Sequence, residues 1–346
     1  MKNIYLQIPS DLNEISKLVL ATVTGSKGST PQKPGSSALF SRNGLVAGTV
    51  GGGVLEGKVQ EMSKRLIESR IPVHQVFHLD ADAPGGEDAL CGGEISVLLD
   101  PDLARHENVF AGIKLCSETR IPGILVTRVI RQQSGSTTIE REWTTDLAEY
   151  QSGGTSSSGF REVMPAPVSE DSPVRIFHEP LIPPPRLIIA GAGHIGKALS
   201  QLGKMLDFEV TVIDDRIEYS NSSNLPYADR IITGPVGRSL EETEKGSDTY
   251  IVIVTRGHRD DGDALKSCIT SDAAYIGMIG SKTKVAHMKR EFIGKNIASA
   301  EQWERIYSPI GIDINSKTIE EIAVSIAAQL ILVRSNRMGH IMHNRT

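Results

Sequence analysis

The chain has 346 residues, 39% hydrophobic and 23% charged, with a formal net charge of −5. At ~100–200 residues per domain that length suggests two domains, and the composition excludes a collagen-like, disulfide-scaffold or mostly disordered protein. No apolar run reaches the ~18 residues that span a bilayer, so no membrane role is expected; the mild acidity argues against nucleic acid as a partner.

In the first half, Leu18 to Thr24 is rich in β-branched residues and reads as a strand. Ser36–Arg42 and Leu45–Val50 flank Asn43-Gly44, a type I′ hairpin signal. A helix follows Gly51-Gly52-Gly53, with Leu55, Val59, Met62 and Leu66 on one apolar face. Val73–Leu79 and Glu94–Leu99 predict strands around an acidic, Gly-rich loop, and Gly123–Arg131 with Ser136–Thr144 predict a second hairpin. Gln151 to Gly159 (QSGGTSSSG) reads as a flexible linker, and the proline-rich residues 180–185 as a domain boundary. Beyond it, Arg186–Ala190, Glu209–Asp214, Arg230–Thr233, Thr249–Thr255 and Ala274–Met278 are short apolar runs, mostly separated by helical patterns. Strands buried on both faces read this way. The expected fold class is therefore α/β: a C-terminal Rossmann-like doubly wound parallel sheet, preceded by a mixed α/β domain. The expected organisation is residues 1–179, a linker 180–185, residues 186–335 and a basic tail 336–346. The last helix starts from a capping box, Thr318-x-x-Glu321, and is apolar nearly all round to Val333, which places it in the interior or at an interface between subunits.

Gly191-Ala-Gly193-His194-Ile-Gly196 follows the strand LIIA and opens a helix, and an acidic pair, Asp214 and Asp215, ends the next strand. In that context GxGxxG is a dinucleotide-binding fingerprint. Gly191 permits the tight turn, Gly193 lets a pyrophosphate reach the backbone, and Gly196 lets helix and strand pack. Asp214 or Asp215 would accept hydrogen bonds from a ribose diol, and the helix N-terminus would hold phosphate. Arg256-Gly257-His258 and Gly280-Ser281-Lys282 follow later strands, at the sheet edge where such folds bind ligands. His258 is a candidate acid/base, donor or phosphate contact; Ser281 and Lys282 suit an anion, or Ser281 serves only as an N-cap. In the first half Gly51, Gly52 and Gly53 can wrap an oxyanion ahead of Glu56. Gly25-Ser26-Lys27-Gly28-Ser29-Thr30-Pro31 is a second Gly-rich loop that could join the same site. Cys91-Gly92-Gly93 offers a thiol as soft metal ligand or sulfur carrier, or simply a small buried side chain. Cys116 and Cys268 read as packing residues. With no disulfide framework and no signal-peptide pattern in Met1 to Ser10, a reducing cytoplasm is expected.

Taken together and in order, these motifs resemble the XdhC/CoxI family, accessory proteins of molybdenum hydroxylases such as xanthine dehydrogenase. The resemblance rests on LATVTGSKGSTPQKPGS (Leu20 to Ser36), GTVGGGVLEG (Gly48 to Gly57) and LCGG (Leu90 to Gly93). In the second half it rests on PRLIIAGAGHIGKAL, VTVIDDR, TRGHRDD, YIGMIGSKTK and SPIGIDINSKTIEEIAVSI. It implies a non-catalytic cytoplasmic protein that binds molybdenum cofactor (molybdopterin), protects its sulfurated form and inserts it into an apo-molybdoenzyme of the xanthine dehydrogenase type. Cys91 would then be a possible molybdenum contact and a cysteine desulfurase a possible partner. The two halves would complete one site at their interface, and a homodimer is expected. This chain has Val54 where the family often has a small residue or Cys, Gln32 where a basic residue is usual, Asn315 for Gly and Gln329 for Glu. The rival readings are an NAD(P)-dependent oxidoreductase and a nucleotide-sensing binding protein.

Overall fold

The computed structural model describes residues 3–80, 90–132, 135–146, 160–163 and 174–341. The Gln151–Gly159 linker, the acidic loop after Asp80 and the end of the basic tail lie outside the described residues, as do the side chains of Cys91 and His258. The chain divides into two compact units, Lys2–Pro183 and Pro184–His340.

In the first unit an antiparallel sheet runs in the order β3-β2-β1-β5-β4. Its strands are β1 (Val19–Gly28), β2 (Ser37–Ser41), β3 (Gly44–Gly48), β4 (Val73–Asp80) and β5 (Leu90–Asp100). Alternation along β1 explains the layers. Val19, Ala21 and Val23 pack against Leu55, Val59 and Leu66 of the helix Gly53–Ser69. Leu20 points the other way, into a cluster with Phe110 and Ile113 of the helix Glu107–Glu118. A second antiparallel sheet, β7-β6-β9-β8, comprises β6 (Gly123–Arg131), β7 (Thr137–Thr144), β8 (Arg161–Val163) and β9 (Val174–Leu181). Its Val129, Ile139 and Phe177 close on Leu98 of β5. Strand β9 runs through Pro180 and Leu181, so the proline-rich segment begins as sheet. Its Pro180 pairs with Ile124 of β6.

The Asn43-Gly44 hairpin forms, but not through a type I′ turn. Such a turn needs positive φ at both central residues. Here Ser41 pairs with Gly44, leaving Arg42 and Asn43 at the turn, and neither has positive φ. Gly44 at the start of β3 takes φ 119° instead.

Between the two sheets lies a group that sequence reading did not anticipate. Tyr5 donates a 2.5 Å hydrogen bond to Glu179, and Arg141 pairs with Asp100, their side chains 2% and 1% exposed. Burial pushes the Glu179 carboxyl up to about 7, against the lowering pull of the Tyr5 hydroxyl and Arg141. The folded protein thus holds a proton on Glu179 up to about pH 7, whereas the unfolded chain releases it near the ordinary 4.5. This contribution to stability falls as pH rises through that window. His74, pushed down to about 4 by burial and then by Arg175, acts in the opposite sense, so the two are separated by variant. Glu179→Gln is expected to gain on wild type between pH 4.5 and 7, by roughly 3 kcal/mol at ~1.4 kcal/mol per pKa unit. Urea unfolding of both proteins across that range measures it, and parallel curves would reject it.

The second unit is a six-stranded sheet in the order β12-β11-β10-β13-β14-β15, every pair parallel. Its strands are β10 (Arg186–Ala190), β11 (Glu209–Asp214), β12 (Arg230–Thr233), β13 (Thr249–Ile253), β14 (Tyr275–Met278) and β15 (Ile306–Tyr307). The order reverses direction between β10 and β13, the topological switch point of a Rossmann-like fold. Two features depart from the predicted alternation. The connection from β11 to β12 is a run of turns rather than a helix, and the two-residue β15 adds a sixth strand too short to show in sequence. The capping box is present: Glu321 N donates to Thr318 Oγ1 at 3.2 Å, and Thr318 N to Glu321 Oε2 at 3.0 Å. Among its described side chains, the last helix, Ile319–Ile341, buries one face within the chain. Ala323, Ile326, Leu330 and Val333 are inside, while Val324, Ile331 and Leu332 are exposed.

Two of the departures from the resembled pattern are explained locally. Asn315 adopts φ 58°, a left-handed conformation that glycine takes freely and asparagine tolerates. Gln329 accepts from Tyr275 Oη at 2.6 Å and from Gly311 N at 2.8 Å. Its amide also donates to Gly311 O, which an ionised glutamate could not do.

Candidate functional sites

In the first unit three Gly-rich motifs meet at one end of the five-stranded sheet. The end of β1 pairs with the start of β5, Lys27 opposite Glu94 and Gly28 opposite Gly93. The approach is so close that a Cβ on Gly93 would lie 2.4 Å from Ser29 O. Gly51 adds the third motif, since a Cβ there would lie 2.7 Å from Pro31 Cγ. The loop Gly25–Pro31, expected as a possible contributor, therefore belongs with Gly51–Gly53 and Gly92–Gly93. Cys91, Gly92 and Gly93 lie in a register shift of β5 against β4, between the pairs His78–Glu94 and Asp80–Leu90.

Glu56 is used to shape this loop. Its Oε2 accepts from Thr49 Oγ1 at 2.7 Å and Val50 N at 3.2 Å, and Thr49 Oγ1 accepts from Gly51 N at 3.1 Å. With the turn clamped from below, Gly52 and Gly53 take φ of 70° and 54°, and a Cβ on either would meet nothing within 4 Å. Their backbone thus borders open space at the N-terminus of the helix Gly53–Ser69, where free N–H groups favour an anion. Val54 is likewise exposed. Toward the middle of the sheet, Thr24 Oγ1 lies 2.8 Å from His74 Nε2. His78 and Glu94 face each other at 3.4 Å. His74, His78 and Glu94 stand outside the motifs quoted above; only the strand register brings His74 to Thr24 and His78 to Glu94.

In the second unit the fingerprint glycines follow their steric roles. Gly191 has φ 119°, and a Cβ would lie 2.5 Å from Val254 O. A Cβ on Gly196 would lie 1.8 Å from Gly191 O, whereas Gly193 faces open space. Gly193 caps the helix His194–Met205, and His194 is exposed at its first position.

The two acids separate. Asp214 is 2% exposed and occupied. Its Oδ2 accepts from Ala192 N at 2.7 Å and Arg216 Nη2 at 2.8 Å, and its Oδ1 from Arg216 Nε at 2.8 Å and Arg216 N at 3.0 Å. Burial acts to raise its pKa, but these bonds outweigh it and hold the carboxyl below the usual range. Asp214 thus anchors the glycine turn. Asp215 is exposed and reaches Arg256 at 3.4 Å. Arg216, two residues beyond Asp214, is the partner that sequence reading missed.

At the other motifs, Gly257 caps the helix His258–Lys266. Thr255 Oγ1 donates to Asp261 Oδ1 at 2.5 Å, and Asp261 also pairs with Lys284. This buried link joins the TRGHRDD and GSKTK motifs through Lys284, while Lys282 is exposed. Ser281 caps its helix, accepting from Lys284 N at 3.3 Å, and Gly280 packs beside the Lys284 side chain. Cys268 is fully buried, its thiol pushed up to about 12 by burial, and Cys116 Sγ accepts from Trp143 Nε1 at 3.2 Å. Among the described residues no group of His, Cys, Asp and Glu is arranged to hold a metal ion. No described helix is long and apolar enough to cross a membrane.

Comparison with known proteins agrees with this architecture. Residues 187–330 match the XdhC Rossmann domain and residues 13–78 the XdhC and CoxI family, together more than half of the chain. The chain is 28% identical over 344 residues to a protein of Bacillus subtilis named as a probable xanthine dehydrogenase subunit, covering 96% of this chain and 98% of that one. It is 24% identical to the uncharacterized protein YqeB of Escherichia coli, across 98% of this chain but only 48% of that protein. A crystal structure described as a xanthine dehydrogenase from Bacillus halodurans superposes with a TM-score of 0.72 at 25% identity, over 92% of both chains. The glycine loops of the first unit and the fingerprint of the second fall within or beside the matched segments, and the chain belongs to the XdhC and CoxI family.

Proposed function

We propose that this protein is an accessory factor that holds molybdenum cofactor and delivers its sulfurated form to an apo-enzyme of the xanthine dehydrogenase type. The observation that carries this reading is the meeting of Gly25–Pro31, Thr49–Gly53 and Cys91–Gly93 at one end of a sheet. The residues fit such a cofactor, a pterin dithiolene bearing a phosphate. Gly52 and Gly53 leave open backbone beside which its phosphate would lie. Glu56 positions that backbone through one carboxylate oxygen, and Cys91, on β5, would offer a soft sulfur. When bound, the cofactor's metal centre would carry the terminal sulfur that the recipient enzyme needs. The names of the relatives support the recipient class. In the second unit, the Gly193 turn and Asp215 would hold a phosphate or nucleotide, and a homodimer is the expected assembly.

The test is molybdenum content after anaerobic gel filtration with purified molybdenum cofactor. Wild type is expected to retain molybdenum and Cys91→Ala to lose most of it. Equal retention would remove the role of Cys91. No retention by either protein, with NAD bound instead, would replace this reading with an oxidoreductase.

A further inference from the structure

A cleft of about 480 Å³ opens beside Asp215 in the Rossmann unit, within the ~300–1,000 Å³ typical of small-molecule sites. Its walls come from the end of β11, the start of the helix Val236–Glu242 and the helix His258–Lys266. These segments follow the carboxyl ends of β11, β12 and β13, the edge at which open α/β sheets bind ligands. Its chemistry is uneven. Asp215, Glu241, Asp260 and Asp263 contribute carboxylates, against Arg238 and Lys266, and Arg238 is already held by Glu242 at 2.9 Å. Pro235 and Val236 add an apolar wall. Ionised carboxylates only accept hydrogen bonds. The complementary occupant is a flat apolar body edged with N–H and O–H donors, and it carries no anion at this end.

The neighbouring acid narrows the choice. Where the fingerprint offers two candidates for a ribose diol, the structure leaves one open. Both oxygens of Asp214 are taken up by Arg216 and Ala192 N, while Asp215 is 44% exposed and lines the cleft. Its partner Arg256 is 58% exposed and 3.4 Å away, a contact that a diol can replace at little cost. On the other side of the anchored turn, Gly193 leaves room for a phosphate.

We infer that the cleft takes the nucleoside end of a 5′-nucleotide with a free 2′,3′-diol and an amino-bearing base, and that Asp215 is the residue that reads the diol. This rests on the nucleotide reading of the second unit and adds the ligand class to it. A 2′-phosphate would stand against Asp215 and Asp260, whose shared partner Arg256 is already engaged at 3.4 and 3.7 Å, so the site disfavours phosphorylated riboses of the NADP type.

Calorimetric titration of the full chain with four probes tests this. ADP is expected to bind. 2′-Deoxy-ADP is expected to bind roughly tenfold more weakly through loss of a charge-assisted hydrogen bond, IDP more weakly through loss of the amino donor, and adenosine 2′,5′-bisphosphate undetectably. Asp215→Ala, an exposed position that folding does not need, is expected to weaken ADP about tenfold and to abolish the preference for ADP over its 2′-deoxy form. Absence of ADP binding, equal affinity for the deoxy and deamino probes, or an Asp215→Ala protein that still prefers ADP would each overturn the inference. Molybdenum retention measured on the same preparations separates the outcomes: retention without nucleotide binding rejects the cleft and leaves the cofactor role intact.

Discussion

Asp100→Ala is expected to destabilise the first unit by roughly 3–5 kcal/mol, because it leaves the Arg141 guanidinium buried without its counter-charge. Arg141 and Asp100 are almost completely enclosed, and burial already pulls the Arg141 pKa down to about 10 against the raising influence of Tyr5 and Glu179. The guanidinium also carries an Nε with no hydrogen-bond partner. The lost carboxylate further strips an acceptor from Asp102 N, which it holds at 2.9 Å. Because the cost arises from the stranded charge rather than from a lost attraction, removing both partners should relieve it. Asp100→Ala/Arg141→Met is expected to recover most of the loss, as buried pairs replaced by apolar side chains often do. Chemical unfolding of the two variants and wild type at pH 6, where Glu179 keeps its proton, gives the answer. A double variant no more stable than the single one would show that the ion pair itself, not desolvation, dominates.

Gly196→Ala is the second large effect, and its contrast with Gly193→Ala isolates the cause. The added methyl on Gly196 would lie 1.8 Å from Gly191 O and 3.4 Å from Ile189 Cγ2. The helix His194–Met205 must therefore retreat from β10, at an overpacking cost of roughly 2–3 kcal/mol. The same methyl on Gly193 meets nothing within 4 Å, and its φ of −68° suits any residue. Gly193→Ala should remain within ~0.5 kcal/mol of wild type while weakening ADP in the calorimetric titration. Similar melting of the two variants would mean that the turn yields easily and that packing does not require Gly196.

The Rossmann half was legible because its signals are local. Strands such as Leu187–Ala190 are buried on both faces and read as unbroken apolar runs. The fingerprint glycines answer to sterics within a few residues: Gly196 is determined by the carbonyl of Gly191. The helix after Gly53 and the capping box at Thr318 were legible for the same reason. Less local decisions were not. The two-residue β15 has no period to detect. The Asn43-Gly44 pair announced a hairpin, but the turn geometry depended on the register of β2 against β3.

The candidate site shows the division most clearly. Residue types alone marked Gly51–Gly53 and Gly191–Gly196 as backbone able to approach an anion, and Cys91 as a soft ligand, sulfur carrier or packing residue. That Gly28, Gly93 and Pro31 lie together followed only from the pairing of β1 with β5 and the packing of Gly51 on Pro31. Asp214 and Asp215 are interchangeable in sequence. Tertiary structure alone spent the first on Ala192 N and Arg216 and left the second at the cleft. The Tyr5–Glu179 bond joins residues 174 positions apart. No local pattern carries such a pairing, because its electrostatics arise only when folding removes water from around both groups.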